Sequence, residues 1–162
     1  MKKIIVSLIV AICTIACYTC VAWAAEPVYT EDEITLIARV VYAEARGESF
    51  EGRCAVAEVV FARFESGKFG TSLAKITRKG QFCKASAKIA KKNGAVFQEC
   101  REAVIYAITT RTLPANAYYF QKANRKYWGG RKTIIRYTTI GKHTFYTAGE
   151  PLAVPVFEEV QG

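Results

Sequence analysis

The sequence has very few histidine and aspartate residues, two of the residue types that bind metal ions. Among 162 residues there is one histidine, His143, and one aspartate, Asp32. A zinc-dependent enzyme needs several imidazole or carboxylate ligands around one ion. A histidine-based zinc site therefore cannot be assembled, which argues against a zinc amidase. We expect neither a metal nor another cofactor.

The first 24 residues are unlike the rest of the chain. Two lysines precede an apolar run that extends to about Ala24 and ends in the small-residue pattern AWAA. This predicts a secretory signal peptide over residues 1–24, cleaved after Ala24 or Ala25. The run is also long enough to stay in the membrane as an anchor, whereas a lipoprotein signal is disfavoured because Thr14 precedes Cys17 where Leu, Val or Ile is expected. We expect export to the periplasm, the cell wall or the medium, with membrane contact only if the segment is uncleaved.

Cysteine is scarce once that segment is removed. Three of the six cysteines lie in it, which leaves Cys54, Cys83 and Cys100. An odd number in an oxidising compartment predicts one disulfide and one free thiol. Cys54 lies in a helical Ala/Val-rich run and suits a small buried apolar role, so Cys83–Cys100 is the candidate bridge, although spacing cannot fix connectivity. A cysteine nucleophile working with His143 also stays open, but no cysteine has a recognisable nucleophile context.

Basic residues outnumber acidic ones. The chain carries 23 Lys and Arg against 14 Asp and Glu, a net charge of +9, and 21 basic residues remain without the N-terminal lysines. Basic exported proteins often meet polyanions. Cell walls, anionic lipids, teichoic acids and extracellular nucleic acid all qualify, and surplus lysine also serves solubility. The positive charge alone therefore does not identify the partner.

The length and the 51% hydrophobic content fit one domain with one core. Thr30 with Glu33 forms a capping-box pattern that predicts a helix start, and Gly47 a stop. A second helix is predicted from Ser49 to about Glu65. A short helix over 71–76, a loop over 77–82, a basic segment over 84–92 and a long helix through 96–108 follow.

Aromatic and β-branched residues dominate after Pro114. They predict a small antiparallel sheet of two or three strands, with turns at Trp128-Gly129-Gly130 and at Gly141. The predicted fold class is α+β, mainly helical, with the β element as one wall of a cleft. We assign residues 25–32 to a lead-in, 33–147 to the domain and 148–162 to a surface tail.

Glu44 lies where the first helix should bury its side chains. Ile34, Ile37 and Val41 form an apolar stripe at helical spacing that runs into Glu44. Burial disfavours a charged carboxylate, so a glutamic acid placed there keeps its proton more readily and can act as a general acid. The alternative is that Glu44 turns outward or pairs with a nearby arginine: Arg39, Arg46 or Arg53.

Three separated motifs carry a resemblance to a known family. The segments ARVVYAEARGESFEGRCAVAEVVFAR (38–63), GQF (80–82) and LPANAYYF…W…IGKHTFY (113–146) resemble the SleB-type cell-wall hydrolases, the spore cortex-lytic family. The resemblance implies a lysozyme-like fold, lytic transglycosylase activity on peptidoglycan and a catalytic role for Glu44. The chain departs from the family pattern at Tyr42-Ala43, Phe61-Ala62-Arg63 and Gln121-Lys122, which concern the finer substrate contacts.

A lytic transglycosylase mechanism also fits the expectation that few other carboxylates lie near Glu44. An ordinary glycosidase needs two carboxylates beside the scissile bond, but Asp32 lies about three helical turns from Glu44, and Glu48 lies beyond Gly47. A single glutamate can protonate the leaving oxygen and then, as a base, help the muramic acid C6 hydroxyl attack C1. Six further residues are expected to line the cleft or contact the substrate, and the alternative for each is an ordinary structural role. They are Glu48, Gln81, Phe82, Tyr119, His143 and Tyr146.

Two further interpretations stay open. The domain could be a non-catalytic basic module that binds the cell wall, or a phage-type lysin or muramidase of the same fold. The expected partners are peptidoglycan glycan strands and anionic wall polymers, without specific nucleic-acid recognition.

Overall fold

A computed structural model describes residues 29–78, 80–82, 94–125 and 133–157. The predicted signal peptide, Cys83, the basic segment 84–92 and the Trp128-Gly129-Gly130 turn lie outside these ranges. In chain order the described elements are helices α1 (Glu31–Ala45), α2 (Phe50–Glu65), α3 (Leu73–Ile76) and α4 (Gly94–Thr109), then strands β1 (Tyr119–Lys122), β2 (Ile134–Ile140) and β3 (His143–Ala148).

The two N-terminal helices begin where their caps predict. Thr30 Oγ1 accepts from the backbone N–H of Glu33 at 3.3 Å, and Glu33 Oε2 accepts from the backbone N–H of Thr30 at 2.9 Å, so the capping box is confirmed. Ser49 Oγ accepts from the Gly52 N–H at 3.3 Å and starts α2. Only four residues, 46–49, separate α1 from α2, which turns the chain back sharply at the end of the helix that carries Glu44.

The core lies among α1, α2 and α4, which pack against one another. The predicted apolar faces are confirmed, and α2 is buried on nearly all sides. Full burial of a Val or Ile side chain contributes roughly 1.5–3 kcal/mol. The fully buried aliphatic side chains of these helices are Ile37, Val40, Val41, Val56, Val59, Val60 and Val104.

The two described cysteines are both core residues. Cys54 is 5% exposed, which confirms its predicted apolar role, and burial raises the pKa of its thiol to about 12. Cys100 is fully buried, carries a free thiol, and has a pKa raised by burial to about 11. A free Cys100 does not support the predicted bridge to Cys83. Thiols with raised pKa values stay protonated and are poor nucleophiles. This weighs against a cysteine peptidase that uses either residue.

The sheet has three antiparallel strands in the order β1-β3-β2. Tyr119 pairs with Tyr146 and Ile140 pairs with His143, and a bulge between Arg136 and Thr138 interrupts β2. Gly141 forms the β2–β3 turn with φ of +56°, a conformation that favours glycine. The chain is therefore α+β, as the sequence predicts.

Buried polar side chains hold the connections between the helices and the sheet. Glu58, 2% exposed on α2, accepts from the backbone N–H groups of Thr112 and Leu113 at 2.8 and 2.7 Å, and from Thr112 Oγ1 at 2.9 Å. Its burial raises the pKa of its carboxyl. Asn116 binds the C-terminal segment by donating to Glu150 O and accepting from the Leu152 N–H. The segment 149–157 thus lies on the surface but is anchored. No helix in the described ranges is long and apolar enough to span a membrane.

Candidate active site

A cavity of about 1010 Å³ lies between the end of α1 and the edge of the sheet. One wall contains Glu44, Arg46 and Glu48 from the α1 end. The opposite wall comes from β1, the residues after it and the β2–β3 turn: Phe120, Gln121, Lys122, Ala123, Asn124, Arg125, Gly141, Lys142 and His143. The β element therefore forms the wall of the cleft that faces Glu44.

Glu44 is half-buried on the last turn of α1 and lines this cavity. Its charge acts to raise the pKa of Arg63 and of His143, and Glu44 and His143 line the same cavity. Arg53, one of the arginines considered as its partner, instead pairs with Glu99 at 2.7 Å, and Arg46 lies over the Tyr42 ring at 5.6 Å. Glu44 therefore points into a groove rather than across a convex surface.

Glu48 joins the two walls of the cleft. Its Oε2 accepts from the backbone N–H of Lys142 at 2.8 Å, across 94 residues of sequence. A side chain at Gly141 would overlap that same oxygen, so the Glu48 carboxylate would have to move away from its present position. Glu48 thus fixes the β2–β3 turn against the end of α1, in addition to lining the cavity.

His143 begins β3 on the wall opposite Glu44. It is 6% exposed, and its ring meets the Phe120 ring edge-on at 5.2 Å. Nδ1 is buried and has no hydrogen-bond partner within the described ranges. Desolvation lowers the pKa of the imidazole, although Glu48 and Glu44 act to raise it. The ring is therefore held neutral beside the catalytic candidate.

Arg63 lies behind the cleft and organises its wall. Its Nε donates to Tyr118 O at 2.8 Å and Nη1 to Gln81 O at 3.3 Å, while the guanidinium lies over the Phe82 ring at 4.5 Å. Desolvation lowers the pKa of this buried group to about 10. One cation therefore connects α2, the 80–82 loop and the chain entering β1.

The remaining predicted site residues lie around this arrangement rather than in the cavity wall. Phe82 is buried and stacks on Phe120, a wall residue, at 6.3 Å. Gln81 also accepts from Arg63 through Oε1 at 3.4 Å, and Tyr119 lies 5.9 Å from the same guanidinium. Tyr146 lines a second, adjoining cavity. The structure thus brings Glu44, Glu48 and His143 together in one cleft, with Gln81, Phe82 and Tyr119 behind its wall.

Several residues that line the cleft or support its wall are not among the predicted site residues. Phe120, Gln121 and Lys122 follow Tyr119 on one short strand, and Arg63 falls in a segment that reads as core helix. The signal for Arg63 is its position inside an apolar helical run, because a buried arginine requires hydrogen-bond partners. Within the described ranges no group of three or more His, Cys, Asp or Glu side chains could hold a metal ion.

Helices packed on a small antiparallel sheet, with a glutamate in the cleft between them, define a lysozyme-like α+β domain. Residues 47–146 match the Cell Wall Hydrolase family, and the chain belongs to that family. This confirms the resemblance to SleB-type enzymes. The matched range includes Glu48, His143 and Tyr146 and begins three residues after Glu44.

Similar proteins are spore cortex-lytic enzymes. The Oceanobacillus iheyensis enzyme is 34% identical over 121 residues, covering 72% of this chain and 42% of the relative. The Bacillus subtilis enzyme is 36% identical over 124 residues, covering 72% and 38%. The chain therefore spans about two-fifths of the length of these curated relatives.

Two solved structures resemble the fold along nearly their whole length. The catalytic domain of the Bacillus cereus SleB protein matches with a TM-score of 0.58 and 27% identity, covering 74% of this chain and 92% of that one. The catalytic domain of the germination-specific lytic transglycosylase SleB from Bacillus anthracis matches with a TM-score of 0.53 and 27% identity, covering 72% and 95%. The shared part thus corresponds to the catalytic domains of those proteins.

Proposed function

We propose that this protein is an exported enzyme that cleaves the MurNAc–GlcNAc bond of peptidoglycan as a lytic transglycosylase, with Glu44 as the single catalytic acid and base. The observation that carries the proposal is the position of Glu44, half-buried in the wall of an open groove that His143 also lines. The SleB-like fold and the cell wall hydrolase family support the substrate class.

The proposed reaction needs one proton carrier. Glu44 donates its proton to the glycosidic oxygen as the bond from C1 of muramic acid breaks, and the GlcNAc end leaves as an alcohol. The C6 hydroxyl of the same muramic acid then attacks C1, and its proton passes to Glu44. The product is a 1,6-anhydro sugar, no water is consumed, and Glu44 is ready for another cycle. General acid–base catalysis of this kind contributes typically ~10²–10⁴ in rate.

The surroundings of Glu48 favour this route over a two-carboxylate mechanism. A second catalytic carboxylate must be available to a water molecule or to the sugar. Glu48 already accepts a backbone hydrogen bond from Lys142 at 2.8 Å. Its geometry therefore suits holding the turn, and Glu44 is left as the acid of the cleft.

The test is digestion of purified sacculi with product analysis by mass spectrometry. We expect anhydromuropeptides from the wild type and a loss of about 10²–10⁴-fold in rate for Glu44→Gln, with binding to sacculi retained. Glu51→Gln is the matched control, because Glu51 is exposed on the first turn of α2 and outside the cleft wall. New reducing ends would identify a muramidase instead, free stem peptides an amidase, and binding without products a non-catalytic module.

Export is part of the proposal and rests on residues 1–24 alone. The apolar run with its AWAA end supports cleavage after Ala24 or Ala25. N-terminal sequencing of the protein recovered outside the cytoplasm should begin at residue 25 or 26. An intact N-terminus on a membrane-associated protein would contradict cleavage.

A further inference from the structure

A second cavity adjoins the Glu44 cleft. It measures about 360 Å³ and is lined by Ala123, Arg125, Arg136, Thr144 and Tyr146. Ala123 and Arg125 also line the first cavity, so the two cavities are neighbours. We call this second cavity the Arg125–Arg136 pocket. A substituent of a polymer bound in the cleft would therefore lie close to this pocket.

The floor of the Arg125–Arg136 pocket consists of buried polar side chains. Thr144 and Tyr146 are 2% and 3% exposed, and they share one face of β3 because alternate strand residues point the same way. Tyr146 Oη accepts from Gln121 Nε2 at 2.7 Å, and the hydroxyls of Thr144 and Thr139 lie 2.9 Å apart. These bonds fix a polar surface before any ligand arrives.

Arg136 belongs to the same network. Its Nη2 donates to Thr139 Oγ1 at 3.1 Å, which ties the guanidinium to the hydroxyl pair in the floor. A guanidinium held on one side still has several N–H donors to offer to a ligand. The contact with Thr139 therefore orients Arg136 and leaves its other N–H groups able to bind a ligand.

The described lining of the pocket is positively charged. Among the residues that the structure describes there, two are arginines and none is a carboxylate. The ion pairs within the described ranges are made by other arginines, Arg53, Arg101 and Arg111. Planar guanidinium groups bind carboxylate and phosphate through paired hydrogen bonds. An oxyanion is the ligand chemistry that this lining fits best.

We propose that the Arg125–Arg136 pocket binds an oxyanion carried by the cell wall next to the bond that is cleaved. The proposal rests on the proposed function, because a glycan strand in the Glu44 cleft is what brings its substituents to this pocket. Two sources supply the same chemistry: a carboxylate of the stem peptide attached to muramic acid, or a phosphate of a wall polymer attached to the strand.

The test measures binding rather than turnover. Arg136→Gln is made in the inactive Glu44→Gln protein, and its dissociation constant for intact sacculi is compared with that of Glu44→Gln alone. We expect it to rise about three- to tenfold at low salt, the equivalent of losing one charged contact. Arg101→Gln in the same background is the control, since it removes one positive charge from a half-buried side chain of α4 outside both cavities. Arg125→Gln is a second variant that should behave like Arg136→Gln.

Two treated substrates separate the sources. If the effect of Arg136→Gln disappears on sacculi whose peptide carboxylates have been converted to neutral amides with a carbodiimide and glycinamide, the ligand is a peptide carboxylate. If it disappears on sacculi freed of phosphate polymers by acid, the ligand is a phosphate. The proposal is overturned if Arg136→Gln binds intact sacculi like Arg101→Gln, or if its loss persists on sacculi that have been through both treatments. Product analysis of the wild type tests the transglycosylase reaction separately, because the binding assay uses a protein that cannot turn over.

Discussion

At the scale of single residues, His143 shows how burial selects a protonation state. Its Nδ1 is enclosed without a partner in the described structure, while the ring lines the cleft, so Nε2 is the nitrogen that can reach a ligand. A buried N–H without an acceptor is rarer and costlier than an unpaired acceptor atom. The neutral ring with its proton on Nε2 is therefore favoured, and His143 can donate one hydrogen bond to a sugar oxygen but is poorly suited to act as a cation.

This tautomer predicts different outcomes for two substitutions of similar size. His143→Gln can place an amide N–H near the position of Nε2, whereas His143→Phe keeps the edge-on contact with Phe120 and donates nothing. We expect kcat/KM on sacculi to fall about three- to tenfold for His143→Phe, the cost of one neutral hydrogen bond, and to be largely rescued in His143→Gln. Equal activity of His143→Phe and the wild type would contradict the donor role.

The sequence predicts a residue's position better than its contacts. Glu44 could be located because its position depends on local helical spacing, and the structure places it in the cleft. The role of Glu48 could not be decided, because its partner Lys142 lies 94 residues away. The contacts of Gln81 with Arg63 and of Phe82 with Phe120 also join separate parts of the chain, and their expected contact with substrate stays a prediction. Such contacts depend on how separate elements meet.

At the scale of elements, the end of α1 and the β2–β3 turn act as one unit. Glu48 extends from the α1–α2 connection to the backbone of the turn, and Gly141 leaves room for its carboxylate. The walls that carry Glu44 and His143 are therefore held at a fixed separation. The bounds of the helices could be predicted because caps are local, whereas this contact between a helix end and a turn leaves no local pattern.

Gly141→Ala tests this contact. Alanine at φ of +56° costs about 1–2 kcal/mol in backbone strain, and its Cβ would also displace the Glu48 carboxylate. We expect a lower free energy of unfolding in urea and a lower kcat/KM on sacculi.

Glu48→Ala separates the two contributions. It removes both the hydrogen bond and the overlap, so the double variant should lose less stability than the sum of the single variants. Strict additivity would mean that the two residues do not act together.

At the scale of the whole molecule, the fold is a helical body joined to a sheet, and the cleft lies along the joint. The sequence predicts both parts, because helical periodicity and the change of composition after Pro114 are visible along the chain. The sequence does not predict how the two parts are joined. That junction depends on buried polar side chains of α2 that no sequence pattern distinguishes from its other residues. Glu58 holds the connection from α4 towards β1 through three hydrogen bonds, and Arg63 holds the loop 80–82 and Tyr118.

Arg63→Lys tests whether this joint stabilises the molecule. A lysine keeps the positive charge but cannot donate to Tyr118 O and Gln81 O in the same fork, and it loses the planar stacking against Phe82. The buried carbonyl groups would then lack a donor, so we expect the free energy of unfolding in urea to fall by about 2–4 kcal/mol. Arg101→Lys, at an exposed ion pair with Glu31, should change it by less than about 1 kcal/mol. If the two variants were equally stable, the joint would depend on apolar packing alone, and the polar contacts of Arg63 would only orient the cleft wall.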